Sequence, residues 1–291
     1  YPDGNSESFA YDPVGNRTSL VQSTSGGPTV TTAYSYGAAN RIITSASAVE
    51  TNGYSFDNAG RLAEQMINGQ SRSYGYDFMS RMTSLTDTNG SVFNYAFDGD
   101  GNRIQQKLND CLETRFVYDG PNVVMELNGS NELVCAYLND HGIDQPVERL
   151  DFIGGSVRKR RVFHDDGLGS IVALTDEYGS LVQSYAYGAF GWVRAQNGTE
   201  LNRVTFTSRE TIGDSLGFYY YRNRIYDANL GRFTSADPLG FIDGPNRYIY
   251  VLNNPLGYTD PLGLQFDPCL SPADQAEKMA QRNKARSGGG G

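Results

Sequence analysis

The sequence predicts an all-β fold, and three observations carry that expectation. Gly, Asn, Asp and Ser punctuate the chain about every ten residues. Between them, 20 Tyr and 14 Phe join Val, Ile and Thr in short runs of strand length. An aromatic–turn–arginine unit also recurs through the first half. Repeated helices of average length do not fit between such breaks, so a helical bundle is excluded. With 291 residues, the chain is long enough to bury a sizeable core.

The repeat is read by laying the chain against itself. Its copies are Tyr11-Asp12-Pro-Val-Gly-Asn-Arg17, Tyr36-Gly-Ala-Ala-Asn-Arg41, Phe56-Asp57-Asn-Ala-Gly-Arg61, Tyr76-Asp77-Phe-Met-Ser-Arg81 and Phe97-Asp98-Gly-Asp-Gly-Asn-Arg103, with aromatics advancing by 25, 20, 20 and 21 residues. A period near twenty implies one supersecondary element per unit, which buries its apolar face only against its neighbours. Alternating aromatics such as Tyr74-Gly-Tyr76 and Tyr95-Ala-Phe97 make one strand, Asp-x-x-Gly makes the turn, and Leu62, Met82 or Ile104 opens the return strand. Each unit is therefore a hairpin, and stacked hairpins give a long, curling antiparallel sheet. The Asp satisfies turn amides, Gly supplies positive φ, and the Arg stacks on a ring or pairs with an Asp of the adjacent unit. These residues are read as structural. Arg17 and Arg103 stand one residue later than the other arginines, and Tyr36 is followed by Gly37 where the other copies have Asp.

Composition narrows the function. Lys plus Arg is 24 against 33 Asp plus Glu, a net charge of −9, which disfavours general affinity for nucleic acid or an anionic membrane surface. The cations are 20 Arg and 4 Lys, a bias suited to carboxylate and aromatic partners inside a structure. Cys111, Cys135 and Cys269 are odd in number and far apart, and His141 and His164 are the only histidines. No metal site, disulfide framework or Ser-His-Asp triad is indicated, and no cofactor is expected. No Walker A loop, HExxH helix or dinucleotide-binding unit is present. No apolar run is long enough to span a membrane.

The Y-D-x-x-G-R grammar resembles the YD repeats of the Rhs family, which includes the C components of insecticidal toxin complexes, and it is similar to the shell of teneurins. Three later blocks extend the likeness: Tyr137-Leu-Asn-Asp-His-Gly-Ile-Asp144-Gln-Pro-Val, His164-Asp-Asp-Gly-Leu-Gly-Ser170-Ile-Val-Ala-Leu-Thr-Asp176, and Gly217-Phe-Tyr-Tyr-Tyr-Arg-Asn-Arg-Ile-Tyr-Asp227-Ala-Asn-Leu-Gly-Arg232-Phe. They resemble the Rhs repeat-associated core. The resemblance implies YD-repeat hairpins over 1–115, an Rhs core over 116–264, and a tail over 265–291. The expected architecture is a partial β-cocoon, with a short helix over Gln275 to Arg286 announced by the capping-box outline Ser271-Pro-Ala-Asp274.

Two identical elements, Asp237-Pro238-Leu-Gly240 and Asp260-Pro261-Leu-Gly263, lie 23 residues apart. Read alone, each is a turn with Asp first, Pro fixing φ and Gly completing it. The tyrosine-rich stretch between them is long enough for a strand and its return, which would bring both turns to one end of the sheet. Two carboxylates about 4 Å apart, at an effective dielectric near 20, repel by roughly 4 kcal/mol, so one holds a proton near neutrality. One acid and one base result, the arrangement aspartic proteases use.

Rhs cores resembling this one are self-cleaving. The resemblance implies that Asp237 and Asp260 form an aspartyl pair that cuts between Leu264 and Gln265. Arg232 is a weaker candidate for orienting a carboxylate; a repeat-type structural arginine is the preferred reading of it. Such a cut acts in cis, once per chain, with no activity in trans expected. The implied partners are the chain's own C-terminal effector as cargo, the rest of the shell, and a secretion apparatus. The chain begins at Tyr1 without a leader, so it reads as the C-terminal end of a longer exported bacterial polypeptide, with its route not visible. Two other readings stand beside this one: a cell-surface adhesion or carbohydrate-binding module, and a structural shell that does not cut.

Overall fold

The computed structural model describes residues 1–213 and 217–264. The expected C-terminal helix, the rest of the 265–291 tail and Gln265 lie outside the described residues. Eighteen strands follow one another: β1 (Ser6–Tyr11), β2 (Arg17–Ser23), β3 (Thr29–Tyr36), β4 (Ile42–Ala46), β5 (Thr51–Phe56), β6 (Leu62–Ile67), β7 (Gln70–Tyr76), β8 (Met82–Thr86), β9 (Val92–Phe97), β10 (Arg103–Leu108), β11 (Leu112–Asp119), β12 (Asn122–Asn128), β13 (Leu133–Asn139), β14 (Pro146–Ile153), β15 (Ser156–Asp165), β16 (Ile171–Thr175), β17 (Leu181–Tyr187) and β18 (Val193–Asn197). Each pairs antiparallel with the next, so the sheet is one unbroken meander. The ladder crosses residue 116 within β11 without interruption.

The curl has a local cause. At the aromatic that precedes the turn, the register slips by one residue, between Ala10 and Tyr11, Ser35 and Tyr36, Ser55 and Phe56, and Gly75 and Tyr76. Each slip is a bulge that bends its strand and increases the twist, and repetition bends the whole sheet. The first and last strands come to face each other without a ladder between them among the described residues. Their seam is made by side chains: Arg194 pairs with Asp3 at 2.7 Å and lies over the Tyr1 ring, and Trp192 Nε1 donates to Glu7 at 2.8 Å.

The turn capping and ring stacking of the repeat are as the sequence indicates, but Arg61 and Arg81 each pair with the carboxylate of their own unit, not with that of the adjacent one. Asp57 Oδ1 accepts the amides of Ala59 and Arg61, and its Oδ2 holds Arg61 Nε at 2.6 Å. Arg61 then donates to the Asp77 carbonyl of the next unit and stacks 4.9 Å from the Tyr76 ring. Arg81 repeats the pattern on Asp77, the Asp98 carbonyl and Phe97. Where the arginine comes one residue late, an asparagine takes its place on Oδ2: Asn16 on Asp12 and Asn102 on Asp98. In an extended strand a one-residue shift reverses the face, so the late arginine points inward. Arg103 is completely buried, paired with Glu210 at 2.5 Å and flanked by the Phe116 and Tyr220 rings.

Inside the curl lies a second sheet: β19 (Glu210–Ile212), β20 (Phe218–Tyr221), β21 (Arg224–Asp227) and β22 (Arg232–Phe233), paired in that order. Every residue of β20 and β21 is buried. Phe218 packs on Tyr74, Tyr220 on Phe97, and the ring cluster of Tyr221, Tyr226, Phe233 and Tyr250 fills the centre. Three inner-sheet phenols are satisfied by turn carbonyls of the outer sheet: Tyr219 donates to Gly191, Tyr220 to Gly101 and Tyr226 to Phe190. A buried tyrosine needs such an acceptor, and the ends of the hairpins supply a row of them.

One expectation fails. The stretch between the two Asp-Pro-Leu-Gly elements does not form a strand and its return. Its backbone makes a single antiparallel bridge, Arg232 to Ile249, then a one-turn 3-10 segment over Val251–Asn253. Pro245 and Pro255 interrupt any ladder there, although burial still alternates from Asn246 through Tyr248 to Tyr250.

Candidate active site

Both Asp-Pro-Leu-Gly elements are turns. Gly240 N–H reaches the Asp237 carbonyl at 3.1 Å, and Gly263 N–H the Asp260 carbonyl at 3.2 Å. Asp237 Oδ1 accepts the Leu239 amide at 2.7 Å; Asp260 Oδ1 accepts the Leu264 amide at 3.1 Å. The simple turn reading is therefore correct for the backbone, and the carboxylates do more than cap it. Asp237 and Asp260 are both buried, at 6% and 2% exposure, and both meet Arg224: its Nη2 lies 2.9 Å from Asp237 Oδ2 and 3.4 Å from Asp260 Oδ2. One guanidinium nitrogen thus holds the two acids side by side.

Arg224 opens β21, and its Cζ sits 3.5 Å from the Phe233 ring centroid. Burial pushes the Asp237 carboxyl above its ordinary range; Arg224 opposes that rise and the neighbouring Asp260 adds to it. Burial likewise lowers the Arg224 guanidinium, against the pull of both carboxylates.

The segment before the expected cut is gripped residue by residue. Arg222 Nη1 donates to the Pro261 carbonyl, Asn223 Nδ2 to the Leu262 carbonyl at 2.9 Å, and Arg224 Nε to the Gly263 carbonyl at 2.6 Å. Three consecutive residues of the β20–β21 turn hold three consecutive carbonyls, and the next carbonyl along the chain is that of Leu264. Gly263 is obligatory in this arrangement. Its φ is +62°, and a Cβ there would stand 2.3 Å from the Tyr221 carbonyl oxygen.

Arg232 is not part of this cluster. It donates to the Asn40 carbonyl and lies 5.0 Å from the Tyr36 and Tyr248 rings, the position of a structural arginine. Sequence reasoning missed Arg222, Asn223 and Arg224. The signal was present in Tyr219-Tyr-Tyr-Arg-Asn-Arg224, where two arginines interrupt a run otherwise suited to a buried strand. Among the described residues, no group of three His, Cys, Asp or Glu side chains is placed to hold a metal.

The Teneurin YD-shell family profile matches residues 2–253. The chain belongs to the teneurin YD-shell family. Over 212 residues this YD shell is 32% identical to the double-stranded DNA deaminase toxin A of Burkholderia cenocepacia, covering 67% of this chain and 14% of that protein. It is 31% identical over 179 residues to the tRNA nuclease WapA of Bacillus subtilis, covering 58% and 7%. In fold, the YD shell is similar to the Photorhabdus luminescens Tc holotoxin pore, with a TM-score of 0.56 at 16% identity over 92% of this chain and 17% of that one. The chain thus spans less than a fifth of the length of each of these relatives.

Proposed function

We propose that this chain is the C-terminal part of a toxin-encapsulating YD shell that cuts its own backbone between Leu264 and Gln265 and frees a C-terminal effector. The observation that carries the reading is the meeting of Asp237 and Asp260 on one guanidinium, beside a Leu264 whose amide Asp260 already holds. Burial raises the Asp237 carboxyl above its ordinary range, so Asp237 is assigned the acid and Asp260 the base.

The step is a hydrolysis. Asp260 takes a proton from water as the water oxygen attacks the Leu264 carbonyl carbon, giving a tetrahedral intermediate. Collapse breaks the bond to the Gln265 nitrogen, which receives the Asp237 proton. The products are a Leu264 carboxylate and a Gln265 amine. Arg224 stabilises the anionic carboxylate and orients both acids. The tether supplies the proximity that a slow pair of acids needs. After the cut, the grip on the Pro261, Leu262 and Gly263 carbonyls persists, so the new end stays in the site; this gives one turnover and no activity in trans. The effector is the cargo, and the remaining shell and an export machinery are the partners.

The test is electrophoresis and intact mass of the full chain. The parent splits after residue 264, and Asp237→Asn and Asp260→Asn stay whole. Equal splitting in all three, or a parent that stays whole, overturns the reading.

A further inference from the structure

Asp144 belongs to the block Tyr137 to Val147, and nothing in the cleavage chemistry described above uses it. It lies between β13 and β14 at φ 61°, in the left-handed region, with its own amide bonded to Asn122 Oδ1. Its carboxylate is 12% exposed and meets two guanidinium groups. Arg209 contacts Oδ1, and Arg222 reaches Oδ1 at 2.7 Å and Oδ2 at 3.0 Å. Against the cost of burial, these two cations hold the carboxyl below its ordinary range.

Each arginine is then committed to backbone. Arg209 donates twice to the Tyr220 carbonyl, at the end of β20. Arg222 donates to the Pro121 carbonyl, which anchors it on the outer sheet, and to the Pro261 carbonyl in the second Asp-Pro-Leu-Gly turn. Two guanidinium groups do not converge on buried carbonyls without a shared anion to offset their repulsion and lost hydration. Asp144 is that anion. It joins the outer sheet, the arginine-bearing turn and the Asp260 turn through one side chain.

We infer that Asp144 is a positioning residue for self-cleavage: acting through Arg222, it fixes the Asp260 turn in register with Arg224 and Asp237. This rests on the aspartyl reading above. A displacement of about 1 Å of a reacting segment can cost two orders of magnitude in rate.

The full chain is synthesised in a short labelled pulse, and the loss of intact chain is followed during the chase for parent, Asp237→Asn, Asp144→Asn, Arg222→Gln and the double Asp144→Asn/Arg222→Gln. Asparagine keeps the size of Asp144 and tolerates its φ, so that substitution removes charge alone. The expected result is a cleavage rate lowered by about tenfold to a hundredfold in each single variant. The double is no slower than Arg222→Gln, and the pH profile keeps the parent's inflections, because Asp144 transfers no proton. In the uncut Asp237→Asn background, Asp144→Asn still melts cooperatively within a few degrees of its reference.

A rate equal to the parent's overturns the inference, as do multiplicative losses in the double. A melting transition that is lost, or pH inflections that move, does so too, by making Asp144 a merely structural or a titrating group. A parent that stays whole, or an Asp237→Asn chain that cuts, brings down the aspartyl reading itself. An Asp144→Asn chain cutting at the parental rate beside an uncut Asp237→Asn chain removes this inference alone.

Discussion

Asp227 closes β21 inside the inner sheet and is 2% exposed, with its Oδ1 accepting the amides of Asn229 at 2.9 Å and Leu230 at 3.1 Å. Burial raises its carboxyl from 3.8 to about 6; the two amides and the more distant Arg72 and Arg17 oppose that rise. A group raised in the folded state binds its proton more tightly there than in the unfolded chain. Its contribution is therefore intact below pH 3.8 and is lost as pH rises through about 6. A shift of about two units corresponds to roughly 3 kcal/mol lost by neutral pH. Asp227→Asn keeps an oxygen for both amides and carries no charge, so it escapes that loss. The assay is denaturant unfolding of the uncut Asp237→Asn chain, with and without Asp227→Asn, from pH 4 to pH 7. The stability difference is expected to move in favour of the asparagine by about 2 kcal/mol across that window. Any cost from a less favourable hydrogen bond is constant with pH, so only the slope matters. A flat difference, or one that moves toward the aspartate, refutes the reasoning.

Two further predictions concern local geometry. Gly263→Ala drives a Cβ into the Tyr221 carbonyl and shifts the gripped segment, so it abolishes cleavage; Gly240→Ala, at φ +85° with open space around it, costs about 1 kcal/mol of stability and still cuts. Gel analysis of both checks this, and a Gly263→Ala chain that cuts normally contradicts the grip. The two classes of repeat arginine differ in worth: Arg81→Ala removes a partly buried pair at the sheet surface and costs about 1 kcal/mol. Arg103→Ala breaks a buried pair and leaves Glu210 only the weaker attraction of Arg209, costing about 3 kcal/mol. Equal shifts in denaturant midpoint for the two would contradict the inward assignment.

The hairpins were legible because each obeys its own local rules: an Asp that caps its turn, a strand alternation, and a period that repeats them. Even the inward arginines left a trace, in the one-residue delay of Arg17 and Arg103. The inner sheet was not legible, because Phe218 to Tyr221 and Arg224 to Asp227 are buried on both faces and carry no alternation to read. Asp237 and Asp260 were picked out as a pair, but the expected hairpin is not what joins them. Arg224 does, from an element earlier in the chain, and contacts of that range leave no spacing in the sequence. Arg232 shows the converse, since adjacency to Asp237 in sequence placed it near the acids while its strand turns it toward Tyr36 and Tyr248.

The repeats and the candidate site use one local device with different outcomes. In Asp57, Oδ1 accepts the amides two and four residues on, and Oδ2 is neutralised by the arginine four residues on. Asp237 accepts the amide two residues on, and Asp260 the amide four residues on, so each keeps part of the same turn. What differs is the residue at the fourth place, which is Phe241 after the first and Leu264 after the second. Neither side chain carries a charge that could neutralise the carboxylate. Two acids deprived of a local cation are buried together on one arginine, and two negative charges facing one positive charge favour the uptake of a proton. A repeat turn that keeps its own arginine is neutral and inert. The same turn without it, doubled and buried, shares the one guanidinium of Arg224, and Asp260 holds the Leu264 amide beside it.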